Sequence, residues 1–300
     1  MTLIECVPNF SEGRRPEVVD EIAAAVAGTP GVTLLDCQSD GHHNPSVLTF
    51  VGAAAGAGEG AFRAIAAAAR LIDLTRHEGA HPRFGATDVV PFVPVRADDM
   101  SVCIETAHRL GARVGAELAI PVYFYEDAAR RPERRNLADV RRGEFEGLRE
   151  QIGRDPARTP DEGPAAVHPQ AGAVAIGARP ALIAYNVDLE STDLELARRI
   201  AREIRERDGG LPYVKAMGLA LDDGVQVSMN LTDYRRTSVL TAFEAVRSRA
   251  AAAGAAVRES EVVGLVPEDA LTALAREVLL APRLTRSQVL EAQILDGLLA

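Results

Sequence analysis

The chain has 300 residues, of which 47% are hydrophobic and 25% charged, enough apolar sequence for one large domain or two small ones. Its formal net charge of -10 argues against nucleic acid as a partner, because such binding needs clustered basic side chains. The three cysteines are widely spaced and suggest neither a disulfide framework nor a zinc ribbon. With no signal-peptide pattern and no uncharged apolar segment long enough to span a bilayer, we expect a cytoplasmic protein without membrane contact.

The first half of the chain is predicted to form a β-α-β-β-α-β unit. Pro91 and Pro94 suggest an edge position for its last strand, because proline donates no hydrogen bond to a neighbouring strand. Strands are expected at residues 2–8, 32–36, 46–52 and 89–95, and helices at 16–26 and 59–74. A helix at 101–118, a strand at 121–125 and an arginine-rich amphipathic stretch to about residue 153 follow.

The second half repeats this pattern after a loose, proline-marked segment. Residues 154–172 are the best linker candidate, although they are also long enough for an ordered binding loop. We expect strands at 181–189, 214–220, 225–231 and 256–263, and helices at 192–207 and 239–253. The pattern predicts an α+β chain of two tandem halves, an arrangement that commonly holds a ligand in the cleft between them.

Once these elements are assigned, four polar, glycine-marked segments remain, at residues 7–13, 77–88, 163–179 and 227–233. Each lies at a strand end or in a loop, where functional groups are commonly mounted. The most informative is HEGAHPRFGATD, residues 77–88, which begins with the H-E-x-x-H pattern of zinc proteases. Gly79 and Pro82 disfavour the continuous helix that zinc binding needs. The better interpretation is a tight loop that holds one histidine as a proton donor or acceptor, with a zinc hydrolase as the alternative.

Together these segments resemble the glutamate formimidoyltransferases. The strings that carry the resemblance are ECVPNFSEG, LLDCQSDGHHN, LIDLTRHEGAHPRFGATDVVPFVPV, GPAAVHPQAGAVAIGARPALIAYNVDL and VSMNLTDY. They run in register over nearly all of the chain, and they match only the transferase part of the bifunctional transferase-cyclodeaminase. The resemblance implies two ferredoxin-like subdomains, residues 1–178 and 179–300, with a folate cleft or tunnel between them and pairing as a homodimer.

The resemblance also implies transfer of the formimino group from N-formimino-L-glutamate to N5 of tetrahydrofolate, in histidine degradation, without a metal. His81 in H-P-R corresponds to the catalytic histidine of the family, whereas a structural role is expected for His77. Asp36, Asp40 or Asp88 could stabilise the cationic groups that form, and we select Asp36. The expected residues for binding glutamate and folate are Asn9, Arg83, Gly163, Pro164, His168, Gln170, Gly172, Gly177, Arg179 and Asn230. Of these, Arg83 and Arg179 suit carboxylates, and the small residues of 163–172 suit close approach to the flat pterin.

Three positions depart from the pattern of the family. Gln38 stands where an acid is common, Pro45 where an arginine is common, and Gln170 where a tryptophan is frequent. A neutral side chain at position 38 would tolerate a formyl oxygen, so an N-formylglutamate-dependent formyltransferase is the first alternative. A folate-binding or regulatory module without turnover is the second alternative.

Overall fold

The computed structural model describes residues 2–39, 44–76, 83–96 and 99–293. The chain divides into two compact units, Met1–Pro180 (unit 1) and Ala181–Ala300 (unit 2), and each contains helices and a β-sheet. The predicted α+β class is therefore confirmed, while the predicted folate cleft stays a prediction. None of the helices described is both long enough and apolar enough to cross a membrane.

Unit 1 is a ferredoxin-like sheet extended by two parallel strands. Its strands are β1 Leu3–Cys6, β2 Asn9–Phe10, β3 Val32–Ser39, β4 Ser46–Ala53, β5 Thr87–Pro94, β6 Val122–Glu126 and β7 Val174–Ala178. Its helices are α1 Pro16–Ala27, α2 Ala54–Leu71, α3 Met100–Glu117, α4 Leu137–Val140 and α5 Glu144–Gln151. Because β1 and β2 are successive pieces that both pair with β4 and β5, the order is β3, β4, β1/β2, β5, β7, β6. The first four positions are antiparallel, whereas β7 runs parallel to both β5 and β6.

The edge position predicted for the Pro91 strand was wrong, because β5 pairs on both sides. The pairs Cys6–Phe92 and Asn9–Val89 place Pro91 opposite Val7, at the interruption between β1 and β2. The Val7 N–H donates to the Pro91 carbonyl at 3.2 Å, but Pro91 has no N–H to return. The side-chain amide of Asn9 donates to the Val7 carbonyl at 3.0 Å instead, so a central strand accommodates the proline.

The predicted linker at residues 154–172 is also an error, because this segment is part of unit 1. The Asp161 side chain is only 3% exposed, and it accepts hydrogen bonds from the Phe124 N–H at 2.9 Å and from Arg134 at 2.6 Å. The segment then leads into β7, which the sequence did not predict. Its sequence, VAIGA, includes Gly177 because the Tyr125 ring would lie 2.5 Å from a Cβ added at that position.

Unit 2 is a four-stranded antiparallel sheet with the ferredoxin-like order β11, β8, β10, β9. Its strands are β8 Ile183–Leu189, β9 Val214–Leu221, β10 Gly224–Leu231 and β11 Val257–Val263. Its helices are α6 Leu194–Ile204, α7 Val239–Ala252 and α8 Glu268–Val278. Asp193 caps α6 by accepting hydrogen bonds from the N–H groups of Glu195 and Leu196. The second β-α-β-β-α-β pattern is therefore confirmed.

Helices α1, α2 and α3 cover one face of the unit 1 sheet, where Ile4, Phe50 and Phe92 lie in the main core. A second core lies on the opposite face of the β5, β7, β6 half, where Phe84, Tyr123 and Leu148 are fully or nearly fully buried. Phe84 packs edge-to-face on Tyr123 at 5.3 Å between ring centroids. Through Phe84, this second core includes part of the predicted functional segment at residues 77–88.

The burial of Asp161 leads to a stability prediction. We expect Asp161→Asn to lower the free energy of unfolding by about 3 kcal/mol, because Arg134 would be left buried without its counter-charge. The neighbouring Glu162→Gln is the matched control and should cost less than about 1 kcal/mol, since the Arg130–Glu162 pair is solvent-accessible. Urea unfolding followed by circular dichroism measures both changes, and equal losses in the two variants would contradict the argument.

Candidate functional site in unit 1

Several polar side chains share the face of the unit 1 sheet opposite α1, α2 and α3. Asn9 and Gln38 both pair with Val47, from the two strands that flank β4, and they therefore lie in one row across the sheet. Asp36 pairs with Thr49 in the next row, because an extra residue in β3 shifts the register before it. Glu5 pairs with Val51 one row further along. We call Glu5, Asn9, Asp36 and Gln38 the polar face, which brings together two predicted site residues and one position of departure.

Glu5 is a candidate residue that the sequence reasoning missed. Burial raises the pKa of its carboxyl, and the positive charge of Arg179 partly offsets this rise. Arg179 directly follows β7, where its N–H donates to Phe92 O at 3.0 Å and its guanidinium donates to Pro180 O at 3.0 Å. The available sequence signal was a single acid within an otherwise apolar strand. The arrangement gives the polar face a titratable carboxyl beside a cation.

His81 and His77 lie outside the described residues, but hydrogen bonds are found for residues on both sides of them. On the N-terminal side, the Leu74 N–H donates to Gln170 O at 3.0 Å. On the C-terminal side, the Ala86 N–H donates to Ala171 O at 2.9 Å, and the Ala173 N–H donates to Phe84 O at 3.1 Å. Described residues before and after this segment, at 74 and at 84–86, therefore bond to residues 170–173.

This contact depends on a glycine at position 85. An added Cβ there would lie 1.7 Å from the Ala173 carbonyl oxygen, so no other residue fits without moving the backbone. Gly172 opposite it has a φ of 69°. Both glycines come from predicted functional motifs, and the structure shows that close backbone approach requires each of them.

Residues 9–13 form hydrogen bonds both with residues 85–86, which follow the segment that contains His81, and with Asn44, which follows the segment that contains His42 and His43. Ser11 Oγ donates to Gly85 O at 2.8 Å, and the Ser11 N–H donates to Ala86 O at 2.9 Å. The Gly13 N–H donates to Asn44 Oδ1 at 2.9 Å. Asn44 directly follows residues 40–43, so Asp40 and the two histidines of that segment also lie outside the described residues. The flanks of three predicted motifs thus meet in one region of unit 1.

His168 belongs to a tight turn that is closed by reciprocal backbone hydrogen bonds with Gly172, at 3.1 and 3.0 Å. Its Nδ1 accepts the N–H groups of Ala171 at 3.0 Å and Gln170 at 3.4 Å. A nitrogen that accepts hydrogen bonds carries no proton, so the ring is neutral with its proton on Nε2. Burial also lowers the pKa of His168, which agrees with this neutral state.

Arg83 is largely buried and is held by glutamates of α5. Its guanidinium lies 2.5 Å from Glu146 Oε1 and 3.8 Å from Glu144 Oε2. Asp88 is 2% exposed, accepts the Phe84 N–H at 2.9 Å, and pairs with Arg141. Burial lowers the pKa of Arg141 to about 10, so its guanidinium is still protonated at neutral pH.

The remaining predicted residues occupy varied positions. Gly163 has a φ of 82°, and an added Cβ would lie 2.7 Å from Ile120 O, while Pro164 and Gln170 are exposed. Asn230 lies in unit 2 and is exposed on β10, opposite Ala184 and Lys215. No group of three or more metal-ligating side chains is found in the described parts of the chain. Because His77, Glu78 and His81 fall outside those parts, the zinc alternative stays open to metal analysis.

Two family descriptions match the chain and together cover both units. Residues 3–179 match the N-terminal subdomain of the formiminotransferase domain, and residues 184–292 match the formiminotransferase domain. These matches define a formiminotransferase-type protein. The chain belongs to the formiminotransferase family, so the resemblance seen in the sequence is confirmed.

Named relatives that match at least 90% of this chain support this assignment. The chain is 48% identical over 298 residues to a protein of Thermoplasma acidophilum named glutamate formimidoyltransferase, covering 98% of each chain. It is 45% identical over 271 residues to a Streptococcus pyogenes protein of the same name, covering 90% of each chain. It is also 46% identical to a formimidoyltransferase-cyclodeaminase of Sus scrofa, with 90% of this chain matching 51% of that protein.

The state of His168 leads to a pH prediction. The pKa of His168 in the folded chain is lowered from the ordinary 6.5. As the pH falls below 6.5, the unfolded chain therefore binds more protons than the folded chain, and the free energy of unfolding decreases. We expect His168→Asn, whose Oδ1 can still accept the backbone N–H groups, to remove this component of acid destabilisation. Unfolding free energies at about pH 7.5 and about pH 5.5, on either side of the histidine titration, measure it. An identical pH dependence in variant and wild type would refute the assignment of the neutral ring.

Proposed function

We propose that the protein transfers the formimino group from N-formimino-L-glutamate to N5 of tetrahydrofolate, giving 5-formimidoyltetrahydrofolate and L-glutamate. The observation that carries the proposal is the 48% identity to a named glutamate formimidoyltransferase over 98% of both chains. In support, unit 1 holds the flanks of three motifs of the family in one region, beside a face that carries Asn9, Asp36 and Glu5.

In the proposed reaction, N5 of tetrahydrofolate attacks the amidine carbon and loses its proton to His81. The tetrahedral intermediate then collapses, the bond from carbon to the glutamate nitrogen breaks, and His81 returns the proton to that nitrogen. A histidine suits both transfers because it titrates near neutral pH. We assign Asp36 as the carboxylate that stabilises the cationic intermediate. Asp88 is less suited, because it is already paired with Arg141 and accepts the Phe84 N–H.

Binding of the two substrates is assigned to the remaining predicted residues. Arg179 is better placed for a glutamate carboxylate than Arg83, whose guanidinium contacts Glu144 and Glu146. The turn from Gly163 to Gly172 would approach the pterin, with Asn9 and Asn230 orienting polar edges. Folate in a cleft, a homodimer and a cytoplasmic location remain predictions of the same proposal.

A second candidate function is formyl transfer from N-formylglutamate. The observation that favours it is the neutral Gln38 in the same row of the polar face as Asn9. A formyl oxygen replaces the N–H group of the formimino donor, and a neutral amide can donate a hydrogen bond to that oxygen. Only a direct comparison of donors decides between the two.

The test is a tetrahydrofolate assay with both donors in parallel. We expect turnover of N-formiminoglutamate, and His81→Ala should lower kcat by about 10²–10⁴-fold because proton transfer is lost. His77→Ala is the matched control, with an expected change of no more than about threefold, since a structural role is assigned to that histidine. Turnover of the formyl donor alone would establish the second candidate, and folate binding without turnover would establish the non-catalytic alternative.

Metal removal gives a separate check on the zinc alternative. We expect dialysis against EDTA to leave the formimino transfer rate unchanged, because the proposed proton transfers need only the histidine and a carboxylate. Elemental analysis of the purified protein is the accompanying measurement. Stoichiometric zinc, together with activity that is lost on dialysis and restored by zinc, would reverse this conclusion.

A further inference from the structure

The backbone at Arg83, two residues after His81, is held by the connection that follows α4 and by the first turn of α5. We call residues 141–146 the clamp turn. The Phe145 N–H donates to the Arg83 carbonyl at 2.9 Å, while Glu146 accepts from the Arg83 guanidinium at 2.5 Å. The clamp turn therefore contacts Arg83 through both its backbone and its side chain.

A second contact fixes the next residue. Asp88 Oδ1 accepts the Phe84 N–H at 2.9 Å, and Arg141 Nε lies 3.3 Å from the same oxygen. Asp88 is the extra residue of a β-bulge, because Asn9 pairs with Val89 while Phe10 pairs with Thr87. Bulges commonly re-aim a side chain, and this bulge directs a buried carboxylate at the backbone of the loop flank.

The clamp turn has an uncommon backbone. Gly143 has a φ of 82°, and Glu144, which is not a glycine, has a φ of 55°. A non-glycine residue in this region is strained and persists only where surrounding contacts over-determine it. The Glu144 N–H donates to Arg141 O at 2.8 Å, and the Gly147 N–H donates to Gly143 O at 2.7 Å. These bonds hold the turn in which Arg141 contacts Asp88 and Glu146 contacts Arg83.

Arg83 offers little to a substrate in this arrangement. Bidentate recognition of a carboxylate needs two neighbouring N–H groups free on one edge of the guanidinium. Two nitrogens already face Glu144 and Glu146, and Nε is buried with no acceptor among the described residues. The side chain as a whole is only 15% exposed.

We propose that Arg83 is a tether rather than a substrate ligand, and that the clamp turn and Asp88 position the backbone at Arg83 and Phe84. Arg141 and Glu146 are then positioning residues that act through this flank. The consequence for catalysis rests on the proposed function, in which His81 lies two residues before Arg83. Two residues span at most about 7 Å of chain, so the position of the backbone at Arg83 limits where that histidine can be placed.

The experiment combines hydrogen exchange with kinetics on the full chain. The variants are Arg141→Gln and Glu146→Gln, with Glu150→Gln as control, an exposed residue on the same helix. We expect faster amide exchange in peptides covering residues 83–88 for both test variants, and unchanged exchange there for the control. Peptides from unit 2 show whether a variant has lost stability only locally. Unchanged exchange at 83–88 in Arg141→Gln would overturn the positioning role, whatever reaction the protein catalyses.

The kinetic part separates a tether from a ligand. We expect Arg141→Gln and Arg83→Gln each to lower kcat by about tenfold or more, with the KM of each substrate changed less than about threefold. The double variant Arg83→Gln with Glu146→Gln should have the same kcat as Arg83→Gln alone. Each substitution removes the same Arg83–Glu146 ion pair, so the second has nothing further to remove. A large rise in KM for the donor in Arg83→Gln, with kcat preserved, would make Arg83 a substrate ligand and overturn the tether. A wild type without turnover would instead refute the proposed function, while the exchange data still decide the positioning role.

Discussion

The close approach of two backbone segments, at Gly85 and at residues 172–173, is the constraint on which unit 1 depends. An added Cβ at Gly85 would lie 1.7 Å from Ala173 O, so the segments touch without a side chain between them. This approach sets the position at which β7 enters the sheet between β5 and β6. It also fixes the chain on both sides of residues 77–82, because Leu74 and Ala86 bond to Gln170 and Ala171. The fold and the candidate site therefore use the same contact.

The regular elements could be predicted from the sequence because their patterns are local. The α6 helix has an aspartate cap and buries one face that includes Leu196 and Ile200, and the β-α-β-β-α-β order of unit 2 follows from the chain. The errors concern β5 and β7, whose residues reflect partners distant in sequence. Pro91 is tolerated in β5 because the Asn9 amide supplies the donor that proline lacks. Gly177 in β7 makes room for Tyr125, and with Gly172 and the alanines around it this part of the sequence resembles a glycine-rich loop.

The candidate site was predictable in part for similar reasons. Glycines and histidines in polar segments stand out in a sequence, and the flanks of these segments do meet in unit 1. The ion pairs around them do not stand out, because Arg141 and Glu146 belong to an arginine-rich stretch that has the composition of an ordinary solvated helix. Only the tertiary contacts distinguish Arg141, which meets a buried carboxylate, from Arg142, which pairs with the exposed Asp139.

The polar face indicates how a neutral Gln38 is compatible with formimino transfer. A cationic intermediate needs a carboxylate nearby, but it does not need that carboxylate at one particular strand position. Asp36 lies two residues before Gln38 on the same face of β3, and Glu5 lies on the same face of β1. Burial raises the pKa of Glu5, so its proton is held more strongly than that of an exposed glutamate. The raised pKa makes Glu5 more suited than an exposed glutamate to donate a hydrogen bond, while Asp36 is the carboxylate that the proposed mechanism uses for the cation. An acid at position 38 would add a negative group to this face, and without it Asp36 still places a carboxylate there.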